Sequence, residues 1–260
     1  MKLGLEIMGV GLLDVANNKC MMLRAHQTIG NSALKMRNKT LVEYYISVMK
    51  RYSKKLLSIT DIVVADAFFS TSTFEKGMSE LGFYLVSRFR DNACLHYIPK
   101  REKGRGRPRV KGDKIDLANL NLSCMEELHI DGLDGKAYTL EAYAKALKKR
   151  VRLVIWRMPG GKCKLFFSTK LSMTGEEVLK TYRTRFQIEF CYRDSKQFTG
   201  LMDCQARHKS QLDFAFNASF ASLNAAKVFM KDNGMDNSMA KVKSLMFNAN
   251  YTKLIFDMSR

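Results

Sequence analysis

Residues 174–200, TGEEVLKTYRTRFQIEFCYRDSKQFTG, have the pattern of one long helix with a marked beginning and end. Thr174 and Glu177 form a T-x-x-E capping box, in which each side chain can accept a hydrogen bond from a backbone N–H group near the helix start. Gly200 suits the left-handed conformation that often follows a helix C-terminus. The sequence therefore predicts a helix of roughly seven turns over this stretch.

Four side chains of this helix recur at intervals that place them on one stripe. They are Tyr182, Arg185, Glu189 and Lys196, spaced three, four and seven residues apart. At about 100° per residue, the stripe is roughly 60° wide. One acid flanked by an aromatic ring and two cations can present a metal ligand beside phosphate groups. A solvated helix face with an i,i+4 ion pair such as Arg185–Glu189 explains the same pattern.

The spacing Tyr-x2-Arg-x3-Glu-x6-Lys resembles the signature of bacterial insertion-sequence transposases of the DDE class, in the subgroup called insertion sequence four. The resemblance implies an α/β, ribonuclease H-like fold. It also implies an enzyme that cleaves phosphodiester bonds and transfers DNA strands at transposon ends. It implies that Glu189 is a catalytic ligand of Mg²⁺ or Mn²⁺. It also implies that Tyr182, Arg185 and Lys196 contact the DNA backbone, and it allows for a homodimer in the DNA-bound complex.

The composition favours a globular protein with a polyanionic partner. The formal net charge is +19, which favours nucleic acid or an anionic membrane surface. No uncharged apolar run approaches 20 residues, so we expect no membrane partner and favour nucleic acid. The resemblance implies that this nucleic acid is double-stranded DNA, as transposon ends and target. The six cysteines are scattered without C-x-x-C pairs, which predicts reduced thiols in a cytoplasmic protein. The resemblance implies that this protein is bacterial.

The first part of the chain predicts a hairpin, a helix and a strand that ends in an acid. The hairpin comprises Leu3–Val15 and Cys20–Ala25, and a helix is predicted over Ser32–Leu57. Asp61–Phe69, DIVVADAFF, contains the continuous apolar run of a central strand. Asp66 stands near its C-terminal end, where α/β sheets bind ligands. A turn or N-cap residue is the alternative, whereas the resemblance implies the middle, metal-binding acid of the Asp-Asp-Glu triad.

A basic loop begins the β-rich region that follows. Residues 100–114, KREKGRGRPRVKGDK, contain eight Lys or Arg residues against two acids. The segment Arg105–Pro108 resembles the core of an AT-hook, which places arginine in the A·T-rich minor groove. Generic phosphate contact by Arg105, Arg107 and Arg109 is the simpler interpretation, because charge alone suffices for it.

The order of elements predicts four segments. Residues 1–90 form the first part of the ribonuclease H-like core, 91–170 a β-rich insertion, 171–230 the helix with Glu189 and its packing helix, and 231–260 a helical tail. The family's first Asp lies on a strand ahead of the hairpin, and Asp14 is the early acid here that could replace it. We therefore expect an N-terminally truncated, catalytically impaired transposase that lacks the first strand of the core.

Two other functions stay open. One is a non-catalytic DNA-binding remnant that modulates an intact transposase. The other is a different ribonuclease H-like nuclease that acts on RNA–DNA hybrids, although such nucleases do not need the four-residue helix pattern.

Overall fold

A computed structural model of the chain describes residues 6–99, 109–235 and 238–258. Its helices are α1 (Asn31–Met36), α2 (Leu41–Leu57), α3 (Ser72–Glu80), α4 (Gly175–Thr184), α5 (Gln187–Phe198), α6 (Lys209–Asp232) and α7 (Met239–Met258). Its strands are β1 (Ile7–Asp14), β2 (Lys19–Gln27), β3 (Ile62–Val64), β4 (Tyr84–Arg88), β5 (Leu95–Tyr97), β6 (Glu126–Leu128), β7 (Lys136–Ala144), β8 (Lys149–Arg157) and β9 (Cys163–Ser168). The protein is therefore of mixed α/β class.

The chain divides into two compact units. Residues 1–29 and 186–260 belong to one, here called the hairpin unit, and residues 30–185 belong to the other, the sheet unit. These bounds differ from the four segments predicted from the sequence. In particular, residues 91–170, predicted as an insertion, contribute β5 to β9 to the same sheet as β3 and β4.

The sheet unit is built on a mixed sheet with the order β3-β4-β9-β8-β7-β5, in which β6 also pairs with β7. β3 and β4 are parallel, and the other pairs are antiparallel. In the described part of the chain β3 pairs with β4 alone, so its prediction as a central strand is wrong. Ile62 and Val64, on one face of β3, are partly buried against the core, and an apolar run of this kind does not indicate how many edges of the strand are paired.

The core of the sheet unit lies between α4 and the middle strands. Val86, Val154 and Phe166, from three adjacent strands, pack against Val178 and Leu179 of α4. Because side chains alternate between the faces of a strand, the neighbouring residues of β4, β8 and β9 project to the opposite face. The helix α3 also packs on β4. Each large apolar side chain buried in this way contributes roughly 1.5–3 kcal/mol.

The hairpin unit confirms two of the predicted elements. β1 and β2 are antiparallel, and the turn between them places Asn18 at φ +50°, which an asparagine tolerates better than most residues. The predicted packing helix is also confirmed as α6, whose Leu212, Phe216, Phe220 and Leu223 are all buried against the hairpin and α5.

Two asparagines of α6 close the outer edge of β2. Asn224 accepts a hydrogen bond from Met22 N (3.0 Å) and donates one to Met22 O (2.7 Å). Asn217 makes the same pair with Ala25, at 2.9 and 3.2 Å. The asparagines lie seven residues apart, two helical turns, and therefore project from one side of α6. Their amides thus bond the main chain of β2 at Met22 and Ala25, as a neighbouring strand would.

The helix predicted over Ser32–Leu57 is wrong in its continuity. α1 ends at Met36, and Asn38 adopts φ +50°, a left-handed conformation that ends a helix. α2 then begins after a second capping box, in which Thr40 N donates to Glu43 Oε2 (2.7 Å) and Glu43 N donates to Thr40 Oγ1 (3.3 Å). This T-x-x-E signal is in the sequence, whereas helical periodicity alone does not mark where a helix starts.

Candidate metal and nucleic-acid site

Both ends of the helical segment at residues 174–200 form as predicted. Thr174 N donates to Glu177 Oε2 (2.8 Å), and Glu177 N donates to Thr174 Oγ1 (3.2 Å), which completes the capping box. Gly200 adopts φ +73°, the left-handed conformation expected after a helix.

The interior of this segment is not one helix, so the prediction of a single seven-turn helix is wrong. α4 ends at Thr184 and α5 begins at Gln187. Arg185 N donates to Tyr182 O (3.1 Å) and Glu189 N donates to Phe186 O (3.0 Å), so both bonds span three residues instead of four. A tighter turn of this kind needs no glycine or proline, and the sequence therefore carries no signal for it.

The break divides the predicted stripe between the two units. Tyr182 and Arg185 belong to the sheet unit, whereas Glu189 and Lys196 belong to the hairpin unit. The four residues therefore fall into two pairs: Tyr182 of α4 with Arg185 directly after that helix, and Glu189 with Lys196 on α5.

The first pair combines a packed ring with a cation. The half-buried ring of Tyr182 lies 5.0 Å from that of Phe166, measured between centroids. The guanidinium carbon of Arg185 lies 5.6 Å from the centroid of the Tyr182 ring, a cation–π distance. Tyr182 is thus anchored in the core of the sheet unit and helps to orient Arg185.

The second pair lies at the surface of α5. Glu189 and Lys196 are both exposed. They are seven residues apart on a regular helix, so they lie within about 20° of each other around its axis. Glu189 is in the first turn, where the helix dipole favours negative charge. This pair keeps the relative placement predicted from the spacing.

Asp66 is an exposed acid on a firmly held stretch of main chain. It follows β3, where Ala65 N donates to Val86 O (3.0 Å) and Ser87 Oγ donates to Asp66 O (2.9 Å). Its Oδ1 accepts a hydrogen bond from Phe68 N (2.8 Å), so Asp66 also has the role of a turn residue, the alternative to a metal ligand. Among the described residues, no hydrogen bond or ion pair involves Oδ2. One oxygen therefore holds the turn while the other is available to a cation.

Ser87 is the residue of this site that the sequence reasoning missed. It is fully buried, and its Oγ donates a hydrogen bond to Asp66 O and lies 3.0 Å from Ser70 Oγ. Ser70 Oγ in turn donates to Arg88 O (2.7 Å). A serine within the apolar strand YLVSR was the available signal, because a buried hydroxyl requires a partner.

Asp14 has a structural role that accounts for both of its carboxylate oxygens. They accept hydrogen bonds from Asn17 N (3.1 Å) and Asn17 Nδ2 (2.7 Å) in the hairpin turn. The side-chain bond from Asn17, and then the backbone bond, lower the pKa of Asp14. Asp14 thus holds the hairpin turn, and its role as a replacement for the family's first acid stays a prediction.

The described residues do not assemble a complete metal centre. Over residues 6–99, 109–235 and 238–258, no group of three or more His, Cys, Asp or Glu side chains could hold a metal ion. Asp66 is in the sheet unit and Glu189 in the hairpin unit. Each supplies carboxylate oxygens of the kind that Mg²⁺ and Mn²⁺ prefer. Binding of Mg²⁺ or Mn²⁺ thus stays a prediction, supported by the carboxylate oxygens of Asp66 and Glu189.

The basic loop lies mostly beyond the described part of the chain. Arg105 and Arg107 are outside it, whereas Arg109 is described and exposed. The predicted DNA contacts of these three arginines therefore stay predictions.

A scan against protein-family models found no match to this chain, and a search of curated proteins found no significant relative. In the portion of the chain that the structure covers, no helix has both the length and the apolar character needed to cross a bilayer.

Proposed function

We propose that this chain binds DNA as an insertion-sequence transposase of the DDE class with a ribonuclease H-like fold. In this proposal Asp66 and Glu189 are ligands of Mg²⁺ or Mn²⁺, and Tyr182, Arg185 and Lys196 contact the DNA backbone. The observation that carries the proposal is Asp66, an exposed carboxylate pinned at the end of a strand with one oxygen available. The four-residue helix pattern and the net charge of +19 support it.

The residues have separate roles. A divalent cation, when bound, would activate a water or a 3′-hydroxyl and stabilise the leaving oxygen at phosphorus. The hydrogen bonds from Ser87 and Phe68 hold Asp66 in place, which lowers the entropy lost when it binds a cation. Arg185, oriented by the Tyr182 ring, can bind a phosphate with two parallel hydrogen bonds, whereas Lys196 provides a point charge.

Replacing Asp66 by asparagine is expected to weaken Mn²⁺ binding about 10- to 100-fold, because a neutral amide is a far poorer ligand. The asparagine keeps the Oδ1 acceptor for Phe68 N, so the local fold is retained. Isothermal titration calorimetry with Mn²⁺ alone measures the effect. Glu189→Gln is expected to reduce the affinity in the same way.

Asp116→Asn is the matched control for this experiment. Asp116 is also exposed, lies in the same unit, and accepts a hydrogen bond from the N–H two residues later (2.9 Å), but its Oδ2 already accepts one from Asn119 (3.2 Å). Equal losses in the Asp66 and Asp116 variants would reject Asp66 as a ligand.

DNA binding is expected to depend steeply on salt and on the cations of the helix pattern. Arg185→Ala and Lys196→Ala should each weaken binding to a duplex several-fold and reduce the slope of log K against log salt by about one. Fluorescence anisotropy with a labelled duplex, repeated over a salt series, measures both quantities.

Arg183→Ala and Lys180→Ala are the controls, since both residues are exposed cations of α4 outside the pattern. If these control variants lose as much affinity for the duplex as Arg185→Ala and Lys196→Ala, DNA binding depends on overall positive charge and not on the residues of the helix pattern. A wild-type chain that fails to bind duplex DNA at low salt would remove the DNA proposal altogether.

The second candidate function is a non-catalytic DNA-binding protein that modulates an intact transposase. It is favoured by the finding that the described residues present no group of three metal-ligating side chains. The calorimetric experiment separates the two candidates. The remnant keeps its salt-dependent DNA binding but shows no Mn²⁺ binding that depends on Asp66 or Glu189.

A further inference from the structure

Helix α7 of the hairpin unit carries apolar side chains that the rest of the described chain does not cover. Its first turn is anchored, since Met239 and Val242 are buried in the core of the unit. Every later residue of α7 is exposed. These include large apolar residues with more than half of their surface exposed: Phe247, Tyr251, Leu254, Ile255, Phe256 and Met258. Apolar helices of this kind normally pack against a partner.

Six exposed positions of α7 follow the alternating spacing of four and three residues that is typical of a coiled-coil seam. These positions, here called the α7 seam, are Ala240, Ser244, Phe247, Tyr251, Leu254 and Met258. At about 100° per residue, they lie within about 80° of one another around the helix axis. The rings of Phe247 and Tyr251 stack along the seam, with centroids 6.0 Å apart and planes tilted by 7°. Such a seam indicates packing along a second helix at a shallow angle.

The charged residues beside the seam indicate the direction of the second helix. Lys243 and Asp257 each come directly before a seam residue, so they lie on the same flank, fourteen residues apart. In a parallel pair of identical helices the opposite charges would lie about 21 Å apart along the axis. In an antiparallel pair whose two-fold axis crosses between Phe247 and Tyr251, Lys243 of each copy faces Asp257 of the other. The helix is therefore charge-complementary to a second copy of itself in the antiparallel orientation.

The sizes of the seam residues favour the same antiparallel arrangement. It brings the small residues at the start of α7 against the large residues at its end. Ser244 of one copy receives Leu254 of the other, and Ala240 likewise receives Met258. A parallel pair would instead place each small residue against its own equivalent and leave a gap at that end of the seam.

We propose that two copies of this chain associate through antiparallel α7 helices. Phe247 of each copy then packs against Tyr251 of the other at the centre of the interface. These residues are 66% and 56% exposed, so the four rings of a dimer can bury roughly 350–600 Å². With the aliphatic ends of the seam, the interface falls at the low end of the specific range, and we expect a dimer of micromolar affinity. This inference does not depend on the function proposed above, because the association needs no DNA.

The oligomeric state of the full chain without DNA tests the proposal. Sedimentation equilibrium over a series of micromolar concentrations should show a reversible equilibrium between the 29.8 kDa monomer and a dimer of twice that mass. Phe247→Glu should weaken the dimer at least about 100-fold, because it buries a carboxylate from each copy in the central apolar layer.

Phe256→Glu is the matched control for Phe247→Glu. Phe256 is 65% exposed, almost the same as Phe247, but it lies nine residues later and therefore on the opposite side of α7. Its replacement should leave the affinity of the dimer unchanged. Circular dichroism and thermal unfolding show whether both variants keep the fold.

Exchange of the two flanking charges tests the direction of the helices and does not alter the apolar seam. Lys243→Glu and Asp257→Lys should each weaken the dimer about 5- to 30-fold, since two attractive pairs become repulsive. The double variant restores both attractive pairs and should recover the affinity of the original chain. Loss in the single variants with recovery in the double variant requires the antiparallel arrangement, because the two charges do not meet in a parallel pair.

Three results would overturn the proposal. They are a chain that stays monomeric throughout the concentration series, a loss in Phe247→Glu no greater than that in Phe256→Glu, and a double charge variant that fails to recover. Vesicles of anionic phospholipid test the other use of an exposed apolar helix. A monomer that binds these vesicles, and loses that binding in Phe247→Glu, would assign α7 to a lipid surface in place of a second copy.

Discussion

Simultaneous replacement of Asn217 and Asn224 by leucine is expected to lower the stability of the hairpin unit by about 4–6 kcal/mol. Each asparagine makes a donor and an acceptor bond to the main chain of β2, at Ala25 and Met22 respectively. Leucine leaves four backbone groups without partners, and each unsatisfied buried group costs about 1–3 kcal/mol. The apolar gain from two leucines offsets part of this cost. Because domains are stable by only about 5–15 kcal/mol, the unit should be close to unfolding.

Amide hydrogen exchange is the appropriate measurement, since a chain of two compact units need not unfold in a single transition. The amides of Met22 and Ala25 should exchange orders of magnitude faster in the double variant, while amides of β8 in the sheet unit keep their protection. Asn248→Leu places the same substitution on an exposed position of α7 and should have little effect. Unchanged protection of Met22 and Ala25 would show that the edge of β2 does not depend on α6.

Features determined by a few neighbouring residues could be predicted from the sequence. The capping box at Thr174, the left-handed Gly200 and the turn at Asn18 follow from local conformational preferences. The buried face of α6 follows from its periodicity, because a helix must bury its apolar stripe. Asp66 and Glu189 could likewise be identified as candidates, since a strand-end acid and a helix acid carry local signals.

Features that depend on distant partners could not be predicted. The tighter turn at Arg185 forms where the surrounding packing favours hydrogen bonds that span three residues over those that span four. Helical periodicity in the sequence does not distinguish these two kinds of turn. The edge position of β3 depends on strands that precede or follow it by many residues. The bond from Ser87 to the carbonyl of Asp66 and the amide pairs of α6 join residues that are 21 to 202 positions apart. The candidate residues were therefore accessible from the sequence, but their division between two units was not.

The second large effect is expected at Gly135, immediately before β7. Gly135→Ala should lower the stability of the sheet unit by about 3–5 kcal/mol. Gly135 adopts φ +98°, which an alanine tolerates poorly, and an added Cβ would overlap the carbonyl oxygen of Arg157 and lie 3.1 Å from Met158 Cα. Both contacts are to main chain, so no side chain can move aside. Relief requires separation of the Lys136–Arg157 pair, the first pair of the longest ladder in the sheet.

Gly132→Ala provides the comparison that separates the two causes. Gly132 lies in the same loop at φ +68°, but no described atom lies within 4 Å of its added Cβ. Gly132→Ala should therefore lower the free energy of unfolding only through the unfavourable positive φ angle, by about 1 kcal/mol. Denaturant unfolding of both variants, with hydrogen exchange at β7 and β8 as the local probe, measures the difference. If the two variants lose the same free energy of unfolding, the backbone at Gly135 can move away from Arg157 without loss of strand pairing. The Lys136–Arg157 pair would then not be needed for the stability of the ladder.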